Sequence, residues 1–497
     1  MQVSKHLNFD YQVRFIMKLN RENLGLEKKL PIKVVQFGEG NFLRAFVESA
    51  FQELNKHGDL NAGIAVVQPI DKGMVSMLNE QDGLYTLFTK GIKNDVEVEK
   101  KELITNIVYG IDPYANHQQY LDLAKEEELQ FIISNTTEAG IAYVASDSMD
   151  MKPPSSFPAK LTQFLYTRYQ HFNAASNKGL TIIPCELINY NAGTLKNIIL
   201  DYIKTWSLED TFENWVSATC SFHNTLVDRI VPGYPRAQID AYNTQLDYED
   251  NLLVSAETFF LWVIEGDASL KKKLPFEKTD LDVRIVEDMQ PFRTRKVRIL
   301  NGAHTSMVPF SILYGNETVK ESVDDAFTGP FIKSLVFDEI IPTLDMEQKE
   351  LDTFAYDVFD RFRNPFIKHQ LSSIALNSIS KFQVRVLPSL IEYVNRKNEL
   401  PVHLVYAFAC LIRFYKGEWK GESLPLNDDF ELMAEFVQIW KSNNFTVVAD
   451  KALKKTAYWG EDLTKIKGLT EAITIALESI DIFGISEGFE KFSSTIK

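Results

Sequence analysis

The chain has 497 residues, 45% of them apolar and 24% charged, the balance of a folded globular protein rather than a disordered or fibrous one. Its length predicts two or three domains. Lys and Arg total 53 against 68 Asp and Glu, a formal net charge of −15, and so acidic a chain repels polyphosphate and argues against nucleic acid as a partner.

Cys185, Cys220 and Cys410 form no CxxC pair, which fits a reducing compartment and no disulfide framework. The eight histidines show no HxxxH or HExxH spacing, so no metal site is expected. Met1 to Asn20 scatters Lys5, His6, Asp10, Arg14 and Lys18 among its apolar residues and does not read as a secretory leader. No run approaches the roughly 18 uninterrupted apolar residues of a membrane span. The expectation is a cytoplasmic protein with no membrane partner.

The first ordered signal is Ile32-Lys33-Val34-Val35-Gln36-Phe37, a β-branched and aromatic run. Gly38-Glu39-Gly40 ends it, and Asn41-Phe42-Leu43-Arg44-Ala45-Phe46-Val47 opens a helix. Further short runs predict strands at Ile64–Gln68, Phe131–Ser134 and Leu180–Pro184, alternating with helical stretches as in a parallel α/β sheet. Pro153-Pro154-Ser155-Ser156-Phe157-Pro158 is a loop by composition, and Leu161, Phe164, Leu165 and Tyr169 then share one helical face.

Beyond about Glu287 the pattern becomes helical. Phe331, Ile332, Leu335 and Val336 before Pro342 predict one helix, and Phe430, Met433, Val437 and Trp440 another. The expected fold is α/β: a Rossmann-type parallel-sheet domain over residues 1–285, followed by a mainly α-helical domain over 286–497, with the boundary inside 280–290.

Strand, glycine turn and helix together are the setting in which a dinucleotide's pyrophosphate binds, because glycines let the backbone approach and the helix end offers free N–H groups. The third glycine of that fingerprint is replaced by Leu43, so the motif alone also fits a plain strand-to-helix turn. Arg44, close to the positive end of a helix, suits a neighbouring anion, with an ordinary surface arginine as the alternative. The acidic residue expected after the second strand is missing, leaving Gln68 or Asp71 to reach the ribose.

The richest stretch is Arg293-Thr294-Arg295-Lys296-Val297-Arg298-Ile299-Leu300-Asn301-Gly302-Ala303-His304. On a regular α-helix Lys296, Asn301 and His304 fall within an arc of roughly 140°. An ammonium, a carboxamide and an imidazole on one face suit carbonyl reduction, where negative charge grows on oxygen and a proton must follow. A basic solvated face gives the same pattern.

The order Gly38-Glu39-Gly40-Asn41-Phe42-Leu43-Arg44-Ala45, Ser134-Asn135-Thr136-Thr137-Glu138-Ala139-Gly140, Pro184-Cys185-Glu186-Leu187-Ile188, Val227-Asp228-Arg229-Ile230-Val231-Pro232, Lys296-x4-Asn301-Gly302-x-His304, Asn364-Pro365-Phe366-Ile367-Lys368-His369 and Ser380-Lys381 resembles the mannitol dehydrogenase family of long-chain polyol dehydrogenases. The resemblance runs from about Lys33 to Pro388. It implies a Rossmann domain and a helical domain with the active site between them, NAD as cofactor, no metal, and a small-molecule substrate. Lys296 would be the general acid–base, Asn191 and Asn301 the oxyanion hole, and His304 the orienting group. Asp228, His369, on a helical stretch, and Lys381 would lie near the substrate. The cofactor would lie along Val35-Gln36-Phe37-Gly38-Glu39-Gly40-Asn41-Phe42-Leu43-Arg44-Ala45, with Gln68, Thr136 and Thr137.

Two departures matter. Ala192 follows Asn191 where polyol members often have glycine. Arg293 stands three residues before Lys296, where polyol-oxidising members often carry glutamate. With Arg295 and Arg298 close by, that exchange implies an anionic substrate, a ketouronate and its aldonate, because an arginine fork matches a carboxylate. The bland alternative is that one or more of these arginines faces solvent or pairs with Glu287 or Asp288. A dinucleotide-binding protein without chemistry is the rival class.

Overall fold

The computed structural model describes residues 17–26, 29–137 and 139–496. Most of the stretch weighed as a leader, residues 1–16, and Glu138 of the SNTTEAG segment lie outside the described residues. The chain divides into two compact units, one formed by the residues up to Lys90 with Glu99–Glu287, the other by Gly91–Val98 with Asp288 onward.

The first unit is built on six parallel strands: β1 Ile32–Phe37, β2 Gly63–Val67, β3 Ile107–Ile111, β4 Phe131–Ser134, β5 Thr181–Pro184 and β6 Ser221–Phe222. They lie in the order β3-β2-β1-β4-β5-β6, the order of a doubly wound dinucleotide-binding sheet, whose ligand crevice opens where the order reverses, beside β1 and β4. Alternate residues feed two cores. Val34, Ile64, Val66, Phe131 and Ile133 face one; Val35, Ala65, Val67 and Ile132 face the other. A strand buried on both faces must be apolar throughout.

The turn after β1 is held by steric and polar constraints together. Gly38 has φ +118°, and a Cβ there would sit 3.0 Å from Asn135 O and from Leu43 Cδ1. Gly40 caps the helix that follows with no side-chain hydrogen bond, and a Cβ on it would project into open space. That helix, α1, runs through Asn41–Leu43, a π-helical turn Arg44–Glu48 and Ser49–His57. Behind the turn, Gln36 Nε2 donates to Gly38 O at 2.9 Å and to Glu48 Oε1 at 2.7 Å. The Tyr85 hydroxyl lies 2.6 Å from both Glu48 Oε2 and Arg44 O. Burial pushes the Glu48 carboxyl above its usual range.

The second unit is helical, as expected for the carboxyl-terminal part. In α3, Gln290–Arg295 passes through a π-helical turn, Lys296–Asn301, into Gly302–Tyr314; α2 denotes Asn191–Thr205 of the first unit. Gln348–Phe362 is α4, Ser378–Arg385 is α5, and Val402–Phe414 is α6. The last is apolar nearly all round and buried from Leu404 to Phe414, the signature of a central helix; α3 packs against it.

One predicted face is corrected. The helix Phe430–Ile439 forms, but it buries Leu432, Phe436 and Ile439, while Phe430 is 80% and Val437 55% exposed. Both stripes are apolar, so periodicity alone had no basis for choosing between them.

The two glycines of the turn should separate in a stability measurement. Gly38→Ala places a side chain at positive φ against a backbone carbonyl and is expected to cost about 1–3 kcal/mol. Gly40→Ala, with open space at its Cβ, should cost less than about 1 kcal/mol. Urea unfolding of both variants checks this; equal midpoints would contradict it.

Candidate active site

At the carboxyl ends of β1, β4 and β5 three loops are stitched together. Asn135 N donates to Phe37 O at 3.1 Å, and Asn135 Nδ2 to Cys185 O at 2.9 Å. The carboxylate of Glu186 accepts from Thr136 N and Thr136 Oγ1 at 3.0 Å, and from Ser134 Oγ at 3.1 Å. Burial raises its pKa against those bonds. Sequence reasoning left Glu186 without a role, although an acid two residues past a buried strand was the signal. Thr137, exposed at φ +76°, is a β-branched residue in a conformation such residues rarely adopt.

Several expected cofactor residues turn out to frame the turn. Val35, Gln36, Phe37 and Ala45 are fully buried and Leu43 nearly so. Arg44 is corrected outright. It is 2% exposed and gives its guanidinium donors to Glu39 O, Leu252 O and Asn41 Oδ1. Its guanidinium is therefore committed to oxygens inside the fold, with the buried Glu48 and Glu39 carboxylates acting on its charge. Gln68 is buried with Nε2 donating to Ile70 O at 2.9 Å, while Asp71 is exposed. The Glu39 carboxylate comes to the same place, accepting from Met74 N at 3.3 Å; a side chain at Gly73 would strike both Glu39 and Gln68.

Asn191 is a second correction. It is fully buried at the start of α2. Its Nδ2 points at Pro184 O, Glu186 O and Thr225 Oγ1 at 3.0–3.1 Å. Its Oδ1 accepts from Ala192 N at 2.9 Å and Thr225 N at 3.0 Å. Two amide hydrogens shared among three acceptors leave none for a substrate oxygen, so Asn191 fastens α2 to β5. Ala192 adds its own N–H to Asn224 Oδ1 at 3.1 Å. Asp228 ends the strand Thr225–Asp228, 6% exposed.

In the second unit, Lys296 opens the π-helical turn and Asn301 closes it. An i→i+5 turn sets a residue nearly above the one five before it, so the two come closer to one face than the 140° of a regular helix allows. His304 follows Asn301 by three residues in α-helix, which keeps it on that side. The His304 ring packs on Phe362 at 4.4 Å and edge-on to His369 at 5.1 Å. Burial pulls the His369 pKa down. His369 was expected on a helical stretch; it lies instead in the non-helical segment between α4 and Leu371–Ile374, past Pro365, which cannot continue the helix.

The arginine run divides by role. Arg295 is buried, pairs with Glu350 Oε1 at 2.9 Å and lies over Phe354 at 4.3 Å, so it binds α3 to α4. Arg293, one turn before Lys296, is partly exposed. Arg298 donates to Val384 O at 2.7 Å, and Lys381 of α5 donates to Ile374 O at 2.9 Å. Among the described residues no helix is long and apolar enough to cross a membrane, and no group of three or more His, Cys, Asp or Glu is placed to hold a metal ion.

Comparison with known proteins agrees with this architecture. The mannitol dehydrogenase Rossmann domain matches residues 32–278, and the mannitol dehydrogenase C-terminal domain matches 288–481. Altronate oxidoreductase of Pectobacterium carotovorum is 44% identical over 485 residues, covering 95% of this chain and 99% of its own. That of Bacillus subtilis is 44% identical over 479 residues, covering 96% and 98%. Among solved structures, D-sorbitol dehydrogenase in substrate-free form shares the fold with a TM-score of 0.78 at 19% identity, covering 95% of this chain and all (100%) of that one. The ternary complex of Pseudomonas fluorescens mannitol 2-dehydrogenase with NAD and D-mannitol gives a TM-score of 0.64 at 19% identity, covering 96% and 100%. With both of its domains matched and relatives alike nearly end to end, the chain belongs to the mannitol dehydrogenase family and is an oxidoreductase acting on a CH–OH group.

Proposed function

We propose that the chain catalyses the reversible, NAD-dependent reduction of D-tagaturonate to D-altronate. The observation that carries this reading is the Lys296–Asn301–His304 face in a chain 44% identical over nearly its whole length to proteins named altronate oxidoreductase.

The turn after β1 fits a dinucleotide. The open space at Gly40 admits the pyrophosphate, and the uncapped start of α1 offers it N–H groups. The nicotinamide dinucleotide, when bound, supplies the hydride. Asn301 donates to the substrate's carbonyl oxygen and holds the negative charge that grows there. Lys296 gives that oxygen its proton and takes it back in the reverse direction. His304, its ring fixed against Phe362 and His369, orients the neighbouring hydroxyls. Asp228 and Thr136 with Thr137 remain proposed for substrate and cofactor respectively. Arg293 in place of the polyol members' glutamate removes a repelling charge and admits a carboxylate.

NAD over NADP is supported by the Glu39 carboxylate beside Gln68 at the end of β2. A negative group there suits the ribose hydroxyls and repels a 2′-phosphate. The reading is tested by offering D-tagaturonate, D-fructuronate and D-fructose with NADH and with NADPH. The highest kcat/KM is expected for D-tagaturonate with NADH. A preference for D-fructuronate or a neutral ketose, or equal use of NADPH, would overturn the corresponding part.

Lys296→Ala should lower kcat by about 10²–10⁴-fold, the usual contribution of a general acid–base, while NADH binding measured by fluorescence is retained. An alanine variant with near-wild-type turnover across pH would remove Lys296 from this role.

A further inference from the structure

Among the described residues, three cations of the second unit, Arg298, Lys381 and Arg385, pair with no carboxylate. Each is partly buried. Their hydrogen bonds go to neutral oxygens: Arg298 to Val384 O at 2.7 Å, Lys381 to Ile374 O at 2.9 Å, and Arg385 Nη1 to Thr305 Oγ1 at 3.4 Å. No ion pair among the described residues includes any of the three. Asp428 acts on Lys381 only at a distance; its carboxylate takes the Tyr415 hydroxyl and Asp429 N instead. Burial pulls all three below their usual pKa values, and Arg385 adds to the effect at Lys381.

The backbone shows why they gather. Lys381 and Arg385 are four residues apart on α5 and share its face, where like charges destabilise a helix. The end of α5 lies against α3 at Gly302, where a Cβ would come within 3.2 Å of Arg385 O. That contact sets Arg385 beside Thr305, the neighbour of His304, and brings Val384 under Arg298. A chain with 68 acidic residues to 53 basic ones had ample carboxylates to neutralise such a cluster, yet among the described residues none pairs with it. An anionic ligand would relieve both the desolvation and the repulsion.

We propose that Arg385 and Arg298, beside Lys381, clamp the carboxylate of a ketouronate whose ketone lies at Lys296 and Asn301, and so select sugar acids over neutral ketoses. This rests on the carboxylated substrate proposed above. In D-tagaturonate three carbons separate ketone and carboxylate, a span of about one helical turn. One turn along α3 separates Asn301 from Thr305, where Arg385 is anchored. The planar guanidinium fork takes both carboxylate oxygens, which an ammonium does not.

The test compares wild type, Arg385→Gln, Arg298→Gln and Arg385→Lys on D-tagaturonate and on D-tagatose, the same ketose with CH2OH in place of the carboxylate. Each glutamine variant should lower kcat/KM for D-tagaturonate by about 10- to 100-fold, the loss of a charge-assisted hydrogen bond, mainly through KM. D-tagatose should fall by no more than about threefold, and Arg385→Lys should recover part of the loss. Melting curves add a decision independent of turnover: D-altronate should raise the Tm of wild type and not of Arg385→Gln. Equal losses on both substrates, or an unchanged response to D-altronate, would overturn the clamp while leaving the proposed reaction standing. A wild type that reduces no ketouronate would overturn the reaction itself and the clamp with it.

Discussion

Five residues separate Lys296 from Asn301, and the i→i+5 turn between them is what brings an ammonium and a carboxamide to one face of α3. On a regular helix the two side chains would stand roughly 140° apart. The turn is maintained from both sides. Ile299 and Leu300 bury its apolar side, Arg295 ties the preceding residues to Glu350 and Phe354, and Gly302 lets α5 close against the residues that follow. A helical turn packed from both sides in this way is held in one shape, as a preorganised site requires.

The first unit holds the turn after β1 in the same manner. Gly38 and Gly40 have no side chains to fix the turn, so its shape is imposed from beneath. Gln36 bridges Gly38 O and Glu48, and Arg44 reaches Glu39 O and Asn41 Oδ1. Burying a carboxyl and a guanidinium here is costly, and every polar atom pair in the network offsets part of that cost. The consequence is a turn whose N–H groups keep their directions before any ligand arrives, which lowers the reorganisation demanded by binding. Glu186 plays the equivalent part for the loop after β4, holding Thr136 by both its N–H and its hydroxyl.

Much of this was legible in the sequence, for identifiable reasons. β1, β2, β4 and β5 were readable because strands buried on both faces are unbroken apolar runs. β3 and β6 were not, the one interrupted by Gly110 and preceded by a charged hairpin, the other only two residues long. Lys296, Asn301 and His304 were visible as a spacing, but the π-helical turn that unites them was not. Arg44 was misread because its partner Leu252 O lies 208 residues away, beyond any local pattern. Asn191 was misplaced because family likeness marks a residue's position and is silent on where its two amide hydrogens go. Arg385 carries no motif; its meaning depends on what is absent around it.

The central chemical proposal is that a hydride is delivered to the ketone carbon of a ketouronate while Lys296 protonates the oxygen. Reduction of D-tagaturonate with NADH deuterated at the transferable position, followed by NMR of the product, tests it directly. The account predicts D-altronate carrying one deuterium on the carbon that was the ketone and none elsewhere. Recovery of D-tagaturonate unchanged, or of a product with that carbon undeuterated or of the opposite configuration, would contradict it.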